Sequence, residues 1–220
     1  MIHIWCVCVG DKYTVEHVKN LHKMVKKNMP GNFQMFCVTD KEEILSDTTL
    51  EFLPIANPNN YPGWWSKINV FELARKPSIY FDLDVIITRS LEPLIKYTEC
   101  DLAMPLNWAL SGHGGYQSSV MCWNGGARGV GWAFQESKIG LPQNGNYGYY
   151  TEDTGVKHWG DQEYLTYHYK DNITEIDAGL VISYKYHARQ ALPDKACVAA
   201  FHGKPDYWEV GDPWIKTALS

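Results

Sequence analysis

Ile2-His3-Ile4-Trp5-Cys6-Val7-Cys8-Val9 opens the chain as a short apolar run rich in β-branched residues, and Gly10-Asp11-Lys12-Tyr13 follows it as a loop. A helical pattern comes next. Val15, Val18, Leu21, His22 and Val25 fall on one stripe, with Glu16, Lys19, Lys23 and Lys26 outside it. Pro30-Gly31-Asn32 stops that helix, and residues 33–38 read as a second strand ending at Thr39-Asp40. Strand, loop, helix, turn, strand is a βαβ unit, whose two strands should lie parallel.

Working outward, residues 50–55 read as a third strand and 57–63 as a loop. Ser66 is placed to cap a helix over 67–75 that Pro77 breaks. Residues 78–81 form an apolar strand running straight into Asp82-Leu83-Asp84. A helix over 91–97 has Pro93 in its first turn. Short strands are expected at 102–106 and 119–123, a glycine-dense loop at 125–131, and a helix at 162–169. Periodicity fades in the last third. Alternating strands and helices without repeat or linker predict an α/β fold, one domain over residues 1–220 around a mixed, mainly parallel sheet.

Bulk properties narrow the class of partner. At 220 residues the chain has room for one sizeable core. Its net charge of −5 leaves no overall cationic footprint for nucleic acid. The dense cationic run Lys23, Lys26 and Lys27 reads as the solvated face of a helix. No stretch approaches a membrane span, and Met1-Ile2-His3-Ile4-Trp5 lacks the basic region of a secretory signal. Six cysteines without a Cys-x-x-Cys pair read as reduced, mostly buried thiols of a cytoplasmic protein. On that reading the sequon Asn172-Ile173-Thr174 carries no glycan. Aromatic residues reach 14%, many beside Gly or Pro, as in Tyr61-Pro62-Gly63-Trp64-Trp65. Rings on loops suit flat ligands such as sugars and bases, although core filling accounts for many of them.

Ile79-Tyr80-Phe81-Asp82-Leu83-Asp84-Val85 carries the strongest chemical signal. On a strand, carboxylates at i and i+2 point to one side while Leu83 packs on the other. Two carboxylates 4 Å apart repel by about 4 kcal/mol at an effective dielectric near 20. The arrangement makes sense if a divalent cation sits between them and an anionic ligand. Hard oxygen donors favour Mn²⁺ or Mg²⁺ bridging to a diphosphate. The end of a parallel strand is also where open α/β sheets gather ligands. The alternative is a solvated pair of aspartates.

The segment 79–91 resembles the D-x-D region of the GT-A glycosyltransferases, in the form seen in family 8, the glycogenin and galactosyltransferase group. Trp64-Trp65-Ser66-Lys67 followed by a helix resembles their Trp/Lys lead-in, and Gly160-Asp161-Gln162-Glu163 their D-Q segment. Phe201-His202-Gly203-Lys204-Pro205 is similar to a compressed form of their carboxy-terminal H-x-x-G-x-x-K-P-W. The four landmarks occur in family order across most of the chain. It looks closest to small bacterial and bacteriophage glycosyltransferase-like proteins. Where the family often has Asn-x-Gly, this chain has Ser118-Ser119-Val120-Met121.

That resemblance implies a metal held by Asp84 and His202. Asp82 would join them, or reach the donor ribose and the metal's waters. Lys204 and Lys67 would meet the diphosphate. Val9, Gly10 and Tyr13 would hold base and ribose, Thr39 and Asp40 would read the base edge, and Asp161 and Gln162 would face the anomeric carbon. Bland readings stand beside these: a loop histidine for His202, a surface lysine for Lys67, a sheet-edge cover for Tyr13. The implied activity is transfer from a nucleotide-sugar, a UDP-sugar foremost, with retention of configuration. The acceptor would be a glycan, a small molecule or, for a phage protein in its host's cytoplasm, a hydroxymethylated base in DNA. The rivals are a nucleotidyltransferase and a non-catalytic carbohydrate- or nucleotide-binding protein. The first normally has a glycine-rich triphosphate loop after strand one, and 9–14 is poor in glycine. No P-loop, Rossmann glycine motif or nucleophile elbow is present.

Overall fold

The structure is a computed structural model that describes residues 1–109, 115–136, 150–151 and 155–220. The opening βαβ unit is β1 (Ile2–Cys8), α1 (Val15–Asn28) and β2 (Phe33–Thr39). β1 and β2 pair in parallel from Ile2 opposite Phe33 to Cys8 opposite Thr39. A short α2 (Glu42–Leu45) leads to β3 (Leu53–Ala56), then come α3 (Ile68–Leu73), β4 (Ser78–Phe81) and β5 (Val85–Ile87). Next are α4 (Glu92–Ile95), β6 (Leu102–Met104), β7 (Val120–Trp123), α5 (Arg128–Glu136), β8 (Tyr150–Thr151) and β9 (Lys157–His158). The chain finishes with α6 (Asp161–Tyr169), β10 (Ile173–Glu175), β11 (Val181–Ser183), β12 (Val198–Ala200) and α7 (Pro213–Leu219).

Seven strands form the main sheet in the order β10-β6-β7-β4-β1-β2-β3. β7 runs antiparallel to both neighbours, and the other pairs are parallel. This is the mixed, mainly parallel sheet that the alternating pattern predicts. Its strand order reverses beside β1, which places β4 on the side away from β2.

Strand alternation divides the core in two. Ile4, Cys6 and Cys8 of β1, with Ile79 and Phe81 of β4, face the α1 stripe of Val18, Leu21, Met24 and Val25. Trp5 and Val7, with Tyr80, Met121 and Trp123, face α3, α5 and α6 through Trp65, Phe71, Phe134 and Tyr164. A second, three-stranded sheet, β11-β12-β5, packs with the first layer.

Several local expectations shift. Residues 50–52 precede β3 rather than joining it. Ser66 does not cap a helix. It is buried within a 3-10 turn over Gly63–Lys67, where its hydroxyl donates to the Tyr61 carbonyl, and the α-helix begins at Ile68. That helix ends at Leu73, before Pro77 is reached. The glycine-dense stretch is a loop only as far as Ala127, since α5 starts at Arg128. Each glycine costs a helix roughly 1 kcal/mol, but burial of Val130 and Phe134 against the α3 layer outweighs that. The basic run is solvent-facing, as expected, and is also engaged: Lys23 and Lys27 donate to the Leu219 and Thr217 carbonyls at the end of α7, and Lys26 pairs with Glu51. All six thiols are free, and five are buried. Among the described residues no helix is long and apolar enough to cross a membrane.

Gly125 turns the chain from β7 toward α5 with φ +88°, and a Cβ there would stand 2.6 Å from the Lys76 backbone nitrogen. Backbone cannot step aside as a side chain can. Gly125→Ala is therefore expected to destabilise by roughly 2 kcal/mol or more, read as a lower midpoint in urea unfolding. An unchanged midpoint would mean the turn has a second conformation open to it.

Candidate active site

β4 ends at Phe81, so Asp82-Leu83-Asp84 is a turn between the two sheets rather than the continuing strand that side-chain alternation predicts. The Asp82 N–H donates to the Ser119 carbonyl beside β7, 2.9 Å away. The Asp84 carbonyl accepts from the Phe201 N–H beyond β12, also at 2.9 Å. Each aspartate is thus held by the backbone of a different sheet. Both carboxylates line one cavity of about 570 Å³ at the carboxyl ends of β1 and β4, where the strand order reverses and ligands collect in such sheets. That volume lies within the range of small-molecule sites.

Asp82 sits in a buried polar knot. Lys67 Nζ lies 2.9 Å from its Oδ1, and the Tyr80 hydroxyl donates to the same oxygen at 2.8 Å. Lys67 also donates to Ser118 Oγ at 3.2 Å and lies 3.4 Å from Asp161 Oδ2. The 3-10 turn that displaced the Ser66 cap is what aims Lys67 inward. Burial opposes the charge on Lys67, but Asp161 and Asp82 outweigh it and hold its pKa above the ordinary lysine value. Asp161 is itself pushed up, by burial first and by Asp82 after it.

Asp84 has a separate set of partners. Its Oδ2 accepts from the Tyr13 hydroxyl at 2.7 Å and from Lys12 Nζ at 3.0 Å. Burial and the neighbouring Asp82 raise its pKa, while Lys12 and Tyr13 pull the other way. Burial and Asp84 likewise raise the Tyr13 phenol, so it stays a protonated donor.

His202 also lines the cavity. Its Nε2 is 2.6 Å from Ser183 Oγ, and its ring stacks with those of Trp108 and Tyr186. Burial, with Lys185 and His187 nearby, lowers its pKa to about 4, so the imidazole is neutral near pH 7. Among the described residues no three His, Cys, Asp or Glu side chains are gathered closely enough to enclose a metal ion.

No family model and no curated protein matches the sequence. Solved structures do match in shape. The glycosyltransferase GlyE of Streptococcus pneumoniae TIGR4 superposes with a TM-score of 0.72 at 14% identity, covering 100% of this chain and 61% of its own. The galactosyltransferase LgtC, in complex with donor and acceptor sugar analogues, gives 0.62 at 12% identity, covering 94% of this chain and 89% of its own. The bifunctional glycosyltransferase WbbM gives 0.63 at 10% identity over 94% of this chain and 46% of its own. The fold is that of the GT-A glycosyltransferases. This chain spans about three fifths of the length of the pneumococcal protein.

Within this GT-A fold, Val9, Tyr13, Lys67, Asp82, Asp84, Asp161, Gln162 and His202 all line the same cavity. The other four expected residues do not. Gly10 donates its N–H to Asp40 Oδ2 at 3.0 Å, tying the ends of β1 and β2 together. Thr39 is fully buried, with its hydroxyl donated to the Cys8 carbonyl. Lys204 is turned outward onto Asp206 and Glu209. Lys12, Tyr80 and Ser118 had no expected role and also line the cavity, and Asp206 stands behind Lys12. Tyr80 had a readable signal, lying on β4 two residues before Asp82. Lys12 and Asp206 meet across the chain at 3.3 Å, which no local spacing foretells.

Proposed function

We propose that the chain is a metal-dependent glycosyltransferase, taking a nucleotide-sugar donor, a UDP-sugar foremost, and passing its sugar to a hydroxyl acceptor. One observation carries the reading. The cavity is lined by two lysines, Lys12 and Lys67, against four carboxylates, Asp82, Asp84, Asp161 and Glu163. A diphosphate entering alone meets an excess of negative charge, and a divalent cation arriving with it offsets that excess. The donor set fits such an ion in kind. Asp82 and Asp84 offer hard oxygens, and His202 offers a neutral imidazole once it leaves Ser183. With so few protein ligands, donor phosphates and water would have to supply the remaining ligands, as Mg²⁺ and Mn²⁺ favour. When bound, the cation would offset charge on the departing nucleoside diphosphate.

The chain's own residues would do the rest. Val9 and Tyr13, in the loop after β1, would bound the nucleoside. Lys67 would hold Asp82 and Asp161 in place beside the sugar, with Asp161 and Gln162 facing the anomeric carbon. Trp64 and Trp159, both exposed on the cavity wall, would offer flat faces to sugar rings. The free thiols agree with a reducing cytoplasm, bacterial or that of a phage's host.

The test is hydrolysis and transfer with UDP-glucose and UDP-galactose, acceptors spanning glycosides and a hydroxymethylated oligonucleotide. Turnover is expected with Mn²⁺ or Mg²⁺ and is expected to vanish on chelation with EDTA. Binding without turnover under every metal condition would leave a non-catalytic nucleotide- or sugar-binding protein.

A further inference from the structure

The resemblance to family 8 implies Lys204 and Lys67 at the diphosphate, but Lys67 is turned onto Asp82 and Asp161 and Lys204 lies outside the cavity. We infer that Lys12 presents the ammonium that binds the donor's diphosphate, with Asp206 as its positioning residue. This rests on the nucleotide-sugar reading above. Lys204 does not line the cavity; its ammonium donates to Asp206 Oδ2 at 2.7 Å and to Glu209, on the outer side of the carboxy-terminal segment. Lys12 does line it, with its side chain 45% exposed, so the ammonium is reachable by a ligand.

Lys12 is also aimed. Its Nζ sits between Asp84 Oδ2 at 3.0 Å and Asp206 Oδ1 at 3.3 Å. Asp206 is 2% exposed, and its Oδ1 completes no hydrogen bond of good geometry. A buried carboxylate oxygen left in that state needs a cation beside it. Lys12 is the cation within reach of that oxygen, while Lys204 serves the other. Asp206 is itself fixed, since its backbone N–H donates to Glu209 Oε2 at 2.8 Å. The pairing therefore holds the loop after β1 against the carboxy-terminal segment. It leaves the Lys12 ammonium beside Asp84, where a diphosphate must lie if Asp84 meets its cation.

Calorimetric titration with UDP and with uridine, both in Mn²⁺, separates a phosphate contact from a brace. Lys12→Ala is expected to weaken UDP binding roughly tenfold to a hundredfold while uridine binding changes less than about twofold. Lys12→Arg should recover most of the loss. Asp206→Asn should shift the UDP-to-uridine ratio in the same direction as Lys12→Ala, by a smaller factor. Lys204→Ala should cost UDP affinity less than Lys12→Ala does. Equal losses for UDP and uridine in Lys12→Ala, or a Lys204→Ala loss as large as that of Lys12→Ala, would overturn the inference. A wild type that binds UDP, with Lys12→Ala unchanged, would overturn it alone. A wild type that binds no UDP would overturn the nucleotide-sugar reading along with it.

Discussion

Asp84→Asn is expected to cut donor turnover by about a hundredfold or more and to leave the melting temperature within a few degrees of wild type. The amide keeps the shape of the side chain and still accepts from Tyr13, whose hydroxyl donates to Asp84 Oδ2. Lys12 keeps Asp206 as a partner. Relief of the repulsion between Asp84 and Asp82 works in favour of the folded state, because burial and Asp82 both disfavour the charge on Asp84. What the substitution removes is the negative oxygen facing the cavity. Steady-state donor hydrolysis beside thermal unfolding and circular dichroism makes the comparison. Full activity at saturating Mn²⁺ would end the assignment of Asp84 to the reaction.

Lys67→Met should do the reverse, costing the fold before it costs any chemistry. Its side chain is only 10% exposed and faces two carboxylates, the half-buried Asp82 and the buried Asp161. Methionine fills the space but leaves both acids without their cation. Breaking a buried pair in this way costs about 3–5 kcal/mol. At roughly 2–4 °C per kcal/mol for a chain of this size, the melting temperature should fall by roughly 6–20 °C. Adding Asp161→Asn to Lys67→Met should recover part of that fall, since it removes one of the stranded charges. A double variant as unstable as the sum of the two singles would show that Lys67 and Asp161 do not interact.

The first half of the fold was legible because its signals are local. The β1-α1-β2 unit follows from one apolar run, one helical stripe and one Pro-Gly stop. The short β10, β11 and β12 carry only three residues each, too few for a period to declare itself. α5 is not legible locally, because its glycines argue for a loop and packing against α3 overrides them. At the site, the D-x-D pair was legible from residue type and order, whereas Lys67, expected at the diphosphate or on the surface, turns inward onto Asp82 and Asp161. The reason the two aspartates face one cavity was not legible: strand alternation predicts it, and a turn spanning two sheets delivers it. Lys12 and Asp206 lie nearly two hundred residues apart in sequence, and only the tertiary structure brings them together. Lys204 stood in a familiar-looking tetrapeptide, and Asp206 with Glu209 drew it outward.

The anchoring of Asp82 to one sheet and Asp84 to the other turns their spacing into a caliper. It reads how the two plates are set against each other, so a change of volume in the buried second sheet, at the paired Ile86 and Ala199 for example, is expected to widen or narrow the grip on a ligand while every lining residue stays the same. Affinity in this architecture can be tuned from the dry interior, out of sight of any comparison confined to the cavity wall.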